Sequence, residues 1–485
     1  MDQRALRYEQ LSDELASMIA GRILRPGDRL PSVRRLASEK KLSVSTVMQA
    51  LRQLEERGQI EARPQSGFFV RLPMAGQNPQ LEPHTRQRLS RPVAVDINNR
   101  LMRALSLCDR PDMVPLGSAL PAADLLPIAS LQRLYRLVGR QAGALLDADS
   151  HAGAGVNHPD LVRQFVRHSL TWGQPLETDE IVVTNSCTEA LALCLGAVTK
   201  RGDTVAVESP SYFLMLQLLQ HLGLKALEIP THPRHGISVD ALEIATRERR
   251  IAACLLVSNF SNPLGSLVPD PEKKRLVELM AARQIPIIED DIFGQLHFGS
   301  NRPWPLKSFD TTGNVMYCTS VSKTLSPSLR LGYVAAGRFQ ADIQMHKILT
   351  SGNTNPVTQA LAAHYMASTA YDRHLRGLRR ALAKQVMQMS EAVLRYFPPG
   401  TRLSQPQGGF VLWVELPAGI ESAGLFEDAV NAGIAFFPGE LFSASGQYRN
   451  CLRLNCGNPW SSRFERAIKQ LGALAANYVT AAKPR

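Results

Sequence analysis

No stretch of this 485-residue chain reaches the roughly 18 consecutive apolar residues that a membrane-spanning helix needs. The start, Met1-Asp2-Gln3-Arg4, lacks the apolar core of a secretory signal peptide, which points to the cytoplasm. Cysteine is scarce and dispersed. The seven (Cys108, Cys187, Cys194, Cys254, Cys318, Cys451, Cys456) are odd in number and form no C-x-x-C pair. That spacing fits reduced thiols rather than a disulfide frame or a zinc site. No internal repeat is found. What is present is ordinary globular content, 44% hydrophobic, so disorder throughout is excluded. At roughly 100–200 residues per domain, the length predicts two to four domains.

The chain carries 55 Lys+Arg against 43 Asp+Glu, a net charge of +12, which invites a polyanion partner. Its distribution is uneven. Residues 1–71 hold 13 basic and 9 acidic side chains, whereas residues 113–485 hold 36 and 30. Positive charge is therefore densest where the chain begins. A basic surface is often just solvated surface, so charge alone does not decide.

Tyr8, Leu11, Leu15 and Met18 recur at spacings of three and four and predict a helix over Tyr8–Gly21. Pro26-Gly27-Asp28 breaks the chain into a turn. Ser32 is placed to cap a second helix, with Leu36 and Ala37 inward and Arg34 and Arg35 outward. Ser43 opens a third helix with a buried face of Val44, Val47, Leu51 and Leu54. Its opposite face is Ser45, Thr46, Met48, Gln49 and Arg52, suited to DNA. Gly58 ends it, and Ile60–Ala62 and Phe68–Val70 flank Arg63-Pro64-Gln65-Ser66-Gly67 as a β-hairpin. This outline fits a DNA-binding helix-turn-helix or a small helical interaction domain.

The residues favour the first. The run Pro26-Gly27-Asp28-Arg29-Leu30-Pro31-Ser32-Val33-Arg34-Arg35-Leu36-Ala37 resembles the GntR-type winged helix, as do Ser43-x-Ser45-Thr46-Val47 and Leu54-Glu55-x-x-Gly58. The resemblance covers residues 8–71 and implies double-stranded DNA as partner. By it, Arg34 contacts DNA from the second helix, with Arg35 beside it. Ser43, Ser45 and Thr46 start the recognition helix, Gln49 continues it, and Gly67 is the wing tip. Val44 and Met48 stand where some relatives place base-reading arginines, which weakens direct guanine readout.

Residues 72–112 read as a linker. Pro73, Pro79, Pro83 and Pro92 with Arg86, Arg88 and Arg91 predict an exposed connector over 72–92. Ile97, Leu101 and Leu105 predict a short amphipathic helix within 95–107 that docks part of it.

From residue 113 apolar runs alternate with helical stretches: Ile181–Val183, Thr204–Val207, Ala252–Val257, Ile285–Glu289, Val315–Cys318, Tyr333–Ala336. This predicts an α/β sheet whose ligands gather at strand ends. After the fifth run comes Ser320-Val321-Ser322-Lys323-Thr324-Leu325-Ser326-Pro327-Ser328-Leu329-Arg330. A lysine just past a strand, with hydroxyls and an arginine nearby, suits a Schiff-base site for a phosphorylated aldehyde. Alone, such a lysine is nearly always a surface residue. Here Asn262-Pro263-Leu264-Gly265 follows a strand, and Glu289-Asp290-Asp291 ends a buried run. Three acids there are costly unless paired.

Together these motifs resemble the fold-type I aminotransferases, from about Pro115 to residue 480. The resemblance implies pyridoxal 5'-phosphate as cofactor, held on Lys323. Asp290 then pairs with the pyridine nitrogen, and Asn262 donates to the phenolic oxygen. Cys187 and Thr188, with Ser320 and Arg330, hold the phosphate at a helix start. Tyr212 stacks on the ring, and Arg453 grips a substrate carboxylate. Without the resemblance, Arg453 would read as a surface ion pair and Tyr212 as core. Three departures stand out. Phe293 replaces a tyrosine that donates to the phenolic oxygen. Ser186 replaces a glycine, which narrows the backbone options near the phosphate. Asn157-His158-Pro159-Asp160-Leu161-Val162 lacks the usual glycine and arginine.

The expected fold is thus an N-terminal winged helix-turn-helix (all-α with a β-wing) on 1–71 and a linker on 72–112. An α/β aminotransferase-like domain follows on 113–485, with a mostly parallel central sheet and a small C-terminal α+β subdomain. The two halves together resemble the MocR-type transcriptional regulators. The resemblance implies a DNA-binding homodimer that senses an amino compound, or the cofactor itself, with no membrane and no metal. The rival reading is a working aminotransferase with an accessory DNA-binding domain.

Overall fold

The computed structural model describes residues 7–20, 24, 28–56, 59–63, 67–70, 81–86, 88–108, 110–140, 143, 145, 157–172, 175–248 and 250–481. The expected Pro26-Gly27 turn, the Gly58 helix stop and Pro64–Ser66 lie outside the described residues. The chain divides into two units, Met1–Gln80 and Leu81–Arg485.

In the smaller unit, the predicted helices are α1 (Arg7–Ala20), α2 (Val33–Lys40) and α3 (Val44–Glu56). Ser32 caps α2 by accepting from the Arg35 N–H at 3.3 Å, and the Ser43 hydroxyl accepts from Thr46 N at 3.1 Å. Leu11, Leu15, Leu36, Val47, Leu51 and Leu54 bury one another as the spacing predicted. Each such side chain contributes about 1.5–3 kcal/mol on leaving water. One expectation fails: Val44 is 52% exposed, and Ala50 joins the core instead. Val44 lies in the first turn, at the end of the apolar stripe, where no described residue covers it.

Strands β1 (Ile60–Arg63) and β2 (Gly67–Val70) pair antiparallel, Ile60 opposite Val70 and Arg63 opposite Gly67. Asp28–Leu30 lies along β2, with Leu30 N donating to Phe68 O and Val70 N to Asp28 O, both at 2.8 Å. Gly67 has a φ of +95°, which glycine adopts without a Cβ penalty.

In the larger unit the strands are β3 (Val93–Ala94), β4 (Val114–Pro115), β5 (Ile181–Thr184), β6 (Thr204–Ser209), β7 (Lys225–His232) and β8 (Gly236–Ile237). They continue with β9 (Ala253–Leu256), β10 (Ile287–Asp290), β11 (Val315–Ser320) and β12 (Gly332–Ala335). The main sheet has the order β3-β7-β6-β9-β10-β11-β12-β5, with β8 beside β7. Strands β7, β6, β9, β10 and β11 run parallel, and β12 is antiparallel to both β11 and β5. Helices cover both faces, so β5 and β9 are wholly buried and read as unbroken apolar runs.

A second sheet, β13 (Arg402–Leu403), β14 (Val411–Glu415), β16 (Phe437–Pro438) and β17 (Cys451–Asn455), forms the smaller C-terminal layer. There β15 (Ile434–Ala435) pairs with β4. No described helix is long and apolar enough to cross a membrane. All seven cysteines are buried and free of disulfides.

From Leu81 onward the chain is laid on the larger unit. Glu82 pairs with Arg234, whose Nε donates at 2.8 Å, and Leu403 N donates to Leu81 O at 3.3 Å. His84 N and Nδ1 meet the Glu415 carboxylate at 2.6 and 2.9 Å. Ser90 is buried and exchanges hydrogen bonds with the Glu228 backbone. The predicted helix forms over Asn98–Cys108, burying Leu101 and Ala104.

Candidate functional site

At the carboxyl ends of the main-sheet strands a cavity of about 190 Å³ collects Ser186, Cys187, Thr188, Tyr212, Asn262, Asp290, Ser320, Lys323 and Arg330. Each comes from a turn that leaves a buried strand: 186–188 after β5, Tyr212 after β6, Asn262 after β9. Asp290 ends β10, and the β11–β12 connection supplies Lys323 and Arg330. Residues far apart in sequence meet because parallel strands point their ends the same way. A roomier groove of about 590 Å³ lies along Glu177, Asp179, Glu180, Lys307 and Asp310. Its lysine is already paired, with Glu180 at 2.8 Å and Asp310 at 3.7 Å.

Lys323 sits in a single 3₁₀ turn, Val321–Lys323, opened by Ser320, whose hydroxyl accepts from Ser322 N at 3.3 Å. Its Nζ donates to Ala119 O at 2.6 Å. Burial, reinforced by Arg453, pushes the amine down to about 8, and Asp290 pulls partly the other way. Asp290 is itself raised to about 6 by burial, opposed by a 3.4 Å hydrogen bond from the Cys187 thiol and one from Ile292 N at 3.1 Å. It has no ion-pair partner among the described residues, and it faces the cavity.

The other two acids of the triplet are satisfied elsewhere. Glu289 accepts from Ser258 Oγ at 2.5 Å, Leu306 N at 2.7 Å and Lys307 N at 3.0 Å. Asp291 pairs with Arg302 and accepts from Tyr317 OH and Asn259 Nδ2, each at 2.9 Å. The buried triplet is therefore tolerated, and only its middle member looks into the pocket.

The helix Cys187–Val198 begins at the cavity wall. Ser186 caps it by accepting from Glu189 N at 3.1 Å, and the Glu189 carboxylate accepts in return from Asn185 N. The Cys187 and Thr188 N–H groups donate to no acceptor among the described residues, and Arg330 has no acidic partner there. Two free N–H groups and an unpaired guanidinium at one helix start make an anion cradle. Gly332 completes it: a Cβ there would lie 2.8 Å from Ser186 C and 3.0 Å from Cys187 N. Ser186 does not constrict the backbone as expected, since its φ of −175° is extended. Burial and the adjacent Asp290 push the Cys187 thiol well up, so it is no nucleophile.

Arg453, in the middle of β17, is 0% exposed. It is no surface ion pair. Nη1 donates to Asn262 Oδ1 at 3.0 Å and Nη2 to Gly117 O, while Nε has no partner among the described residues. Phe213, Phe437 and Phe442 surround the guanidinium at 5.5, 5.0 and 5.3 Å. Burial lowers it to about 10, with no carboxylate to offset the cost among the described residues. Its charge therefore lacks a counter-ion. Tyr212 lines the cavity, its hydroxyl raised to about 12 by burial. Phe293 is buried edge-on to Phe410 at 5.1 Å and brings no hydroxyl to the cavity. Asn157, in the third departing segment, instead bonds β5: its Nδ2 donates to Ile181 O at 2.7 Å and its Oδ1 accepts from Val183 N at 3.0 Å.

Sequence reasoning missed three parts of this surround. The carbonyls of Gly117 and Ala119 carry no side-chain signal. Arg302 belongs to no motif that points to its partner Asp291. Glu208 is buried with one oxygen accepting from Val257 N at 3.0 Å and the other without a partner among the described residues. Burial, reinforced by Asp290, raises it to about 8. An acid inside the run Thr204–Ser209 was its only sequence signal.

On the smaller unit, Arg34, Arg35, Ser43, Ser45, Gln49 and Gly67 are exposed, and Thr46 is half-buried. Arg35 is tied to Glu39 at 2.7 Å, while Arg34 has no acidic partner among the described residues. Ser43 Oγ also lies 2.8 Å from Ser45 Oγ and 2.7 Å from Thr46 Oγ1, so these hydroxyls are arranged together at the start of α3.

The family model for aminotransferase class I and II matches residues 151–471, and that for bacterial regulatory proteins, gntR family, matches residues 7–70. The chain is 37% identical over 467 residues to the uncharacterized HTH-type transcriptional regulator YjiR of Escherichia coli (strain K12), covering 96% of this chain and 98% of that protein. YdcR, of the same description and organism, is 37% identical over 470 residues, covering 96% and 98%. Among solved structures, Pyrococcus horikoshii kynurenine aminotransferase in complex with PMP aligns over 80% of this chain and 95% of that one, with TM-score 0.73 and 26% identity. LysN, the α-aminoadipate aminotransferase of Thermus thermophilus, was solved with N-(5'-phosphopyridoxyl)-L-leucine. It aligns over 79% and 95%, with TM-score 0.71 and 26% identity. The fold is thus a helix-turn-helix region with its hairpin and a fold-type I aminotransferase domain. The chain belongs to the GntR-family transcriptional regulators that carry an aminotransferase class I and II domain, the MocR-type architecture.

Proposed function

We propose that the larger unit binds pyridoxal 5'-phosphate at Lys323 and that the protein regulates transcription in response to an amino compound, or to the cofactor itself. The observation that carries this is the convergence in one cavity of a lysine lowered to about 8, an unpaired buried Asp290 and an anion cradle with free donors. When bound, the cofactor supplies an electron sink and an aldehyde for amines. Lys323 is the residue to which it bonds. Asp290 holds the proton at the pyridine nitrogen. Asn262, its Oδ1 taken by Arg453, offers Nδ2 to the phenolic oxygen. Cys187 N, Thr188 N, Ser320 and Arg330 take the phosphate, Tyr212 covers the ring, and Arg453 takes an effector carboxylate.

DNA is contacted by the smaller unit through Arg34, Arg35, Ser43, Ser45, Thr46, Gln49 and Gly67. The protein acts as a cytoplasmic homodimer, with a winged-helix domain on residues 1–71 joined by a linker to the aminotransferase-like domain. Ligand binding that favours one arrangement of the larger unit changes how the two DNA-binding units are presented.

The test adds pyridoxal 5'-phosphate to the full chain and follows its absorbance, then DNA mobility on the protein's own upstream region. Lysine-bound absorbance that disappears in Lys323→Ala, with a DNA shift altered by an amino compound, supports the reading. Unchanged absorbance in Lys323→Ala sinks the site assignment. A second reading, an active aminotransferase, is favoured by the presence together of Lys323, Asp290 and Arg453. Sustained keto-acid-dependent product with no DNA shift would establish it over the regulator.

A further inference from the structure

A second set of polar side chains, none of them lining the cavity, joins the two turns that carry Asn262 and Asp290. Asn259 stands three positions before Asn262, and Asp291 directly follows Asp290. Asn259 Nδ2 donates to Asp291 Oδ1 at 2.9 Å, which bridges the turn after β9 to the end of β10. Lys273, from the helix Asp270–Ala282, fixes which way that amide faces. Its Nζ donates to Asn259 Oδ1 at 2.8 Å and to Trp304 O at 2.6 Å, so Nδ2 is the atom left for Asp291. Asp291 is held in turn, with Tyr317 OH donating to Oδ2 at 2.9 Å and Arg302 paired to the same oxygen. Its backbone is tied to β11: N donates to Cys318 O at 2.9 Å, and Thr319 Oγ1 donates to its carbonyl at 3.1 Å. Gly294 makes room for the carboxylate, since a Cβ there would lie 2.4 Å from both oxygens.

Between Asn259 and Asn262 the backbone is strained. Phe260 is buried with a φ of +57°, a left-handed conformation that is costly for an aromatic residue. Its ring fits because residue 408 is glycine; a Cβ there would come within 2.5 Å of it. Such a conformation persists where the surroundings over-determine it, and the Asn259–Asp291 bond holds one flank. Asn259, Lys273, Asp291 and Tyr317 are each at most 2% exposed, so these contacts are made inside one subunit. Keeping a lysine amine out of water is costly, which makes this a poor device for merely filling space.

Resting on the cofactor reading above, we infer that Asn259, oriented by Lys273 and anchored on Asp291, is a positioning residue. It sets the Asn262 amide relative to the Asp290 carboxylate, so that one cofactor ring meets both.

The test uses the full chain with pyridoxal 5'-phosphate and the variants Asn259→Ala, Lys273→Met, Asn262→Ala and Asn259→Ala with Asn262→Ala. Two quantities are read: the cofactor concentration that half-saturates the lysine-bound absorbance, and the pH midpoint at which that absorbance changes. A donor at the phenolic oxygen competes with the proton shared between that oxygen and the Lys323 nitrogen, so losing the donor raises the midpoint. Asn262→Ala moves it up. Asn259→Ala moves it the same way by about half as much and weakens half-saturation about threefold to tenfold, the scale of one hydrogen bond. Lys273→Met keeps the volume but frees the Asn259 amide to turn, and repeats the upward shift at smaller size. The double variant shifts no further than Asn262→Ala, because Asn259 acts through Asn262.

A midpoint unmoved in Asn259→Ala, or shifts that add in the double variant, overturns the positioning role even where stability falls. Lys273→Met at the wild-type midpoint overturns the lysine's part, and it decides alone on the same readings should Asn259→Ala not fold. Failure of the cofactor reading shows itself separately, as no Lys323-dependent absorbance in the wild type or as a midpoint that Asn262→Ala leaves unmoved.

Discussion

Arg453 donates to Asn262 across 3.0 Å, joining residues 191 positions apart beside a lining residue of the pocket. The bond fixes which way the asparagine amide faces. Asn262 Oδ1 is occupied, and Nδ2 is left to donate. It also shows why lysine cannot replace the arginine, since one ammonium cannot span Asn262 Oδ1 and Gly117 O while offering a planar fork to a carboxylate.

Arg453→Lys therefore weakens an amino acid effector about 10–100-fold, consistent with a charged hydrogen bond's roughly 1.5–3 kcal/mol. The corresponding amine, lacking the carboxylate, binds wild type and variant alike. Parallel titrations of the two ligands check this. Equal losses for both would place Arg453 outside carboxylate binding.

Cofactor capture requires the neutral amine of Lys323. With that amine lowered to about 8, the capture rate rises with pH through a midpoint near 8, well below the ordinary lysine value of 10.5. Asp290 favours the charged lysine, so Asp290→Asn moves the midpoint down; Arg453 opposes it, so Arg453→Met moves it up. Stopped-flow absorbance at several pH values reads both directions.

Glu208 stays protonated in the fold up to about 8, against an ordinary glutamate value of 4.5. The folded state then binds more protons than the unfolded chain between those values, so stability falls as pH rises through that window. Glu208→Gln removes this contribution and flattens the decline between pH 5 and 8 by a few kcal/mol at most, at about 1.4 kcal/mol per pKa unit. Unfolding midpoints of the cofactor-free protein across that range measure it.

On the DNA side, Arg34 has no acidic partner among the described residues, while Arg35 is held by Glu39 at 2.7 Å. Arg34→Ala lowers affinity across sequences and reduces the salt-dependence slope by about 1. Arg35→Ala has the smaller effect. Salt titrations of both variants on one duplex decide the ranking.

Residues 81–84 touch both sheets, through Arg234 beside β8 and through Leu403 and Glu415 on β13 and β14. Glu82→Ala with His84→Ala leaves effector binding intact but at least halves the effector's change in DNA affinity. Gel shifts with and without ligand test it; an undiminished response would reject this route of coupling.

Six of the main-sheet strands were legible as apolar runs, because strands buried on both faces leave no polar alternation. Strand β7 was not among them, since Lys225, Glu228 and His232 interrupt its pattern and Glu228 is satisfied from across the fold, by Ser443, Ala444 and Ser445 and by Arg86 at 3.8 Å. The α3 stripe predicted Val47, Leu51 and Leu54 but misplaced Val44, because periodicity cannot show where a neighbouring helix stops covering.

The sequence, through motifs that resemble those of the fold-type I aminotransferases, named residues that line one cavity, among them Asp290, Asn262, Tyr212, Lys323 and Arg330. Their charge states and partners were decided only by tertiary structure. Folding tied Asp291 to Arg302 and Glu289 to backbone donors, leaving Asp290 alone in the cavity. It also buried Arg453 with no counter-ion among the described residues and set both Lys323 and Arg453 against carbonyls of one short segment. The scarcity of cysteine and of long apolar runs excluded whole classes of protein from composition alone. Burial and pairing depend on distances between segments, which no local pattern encodes.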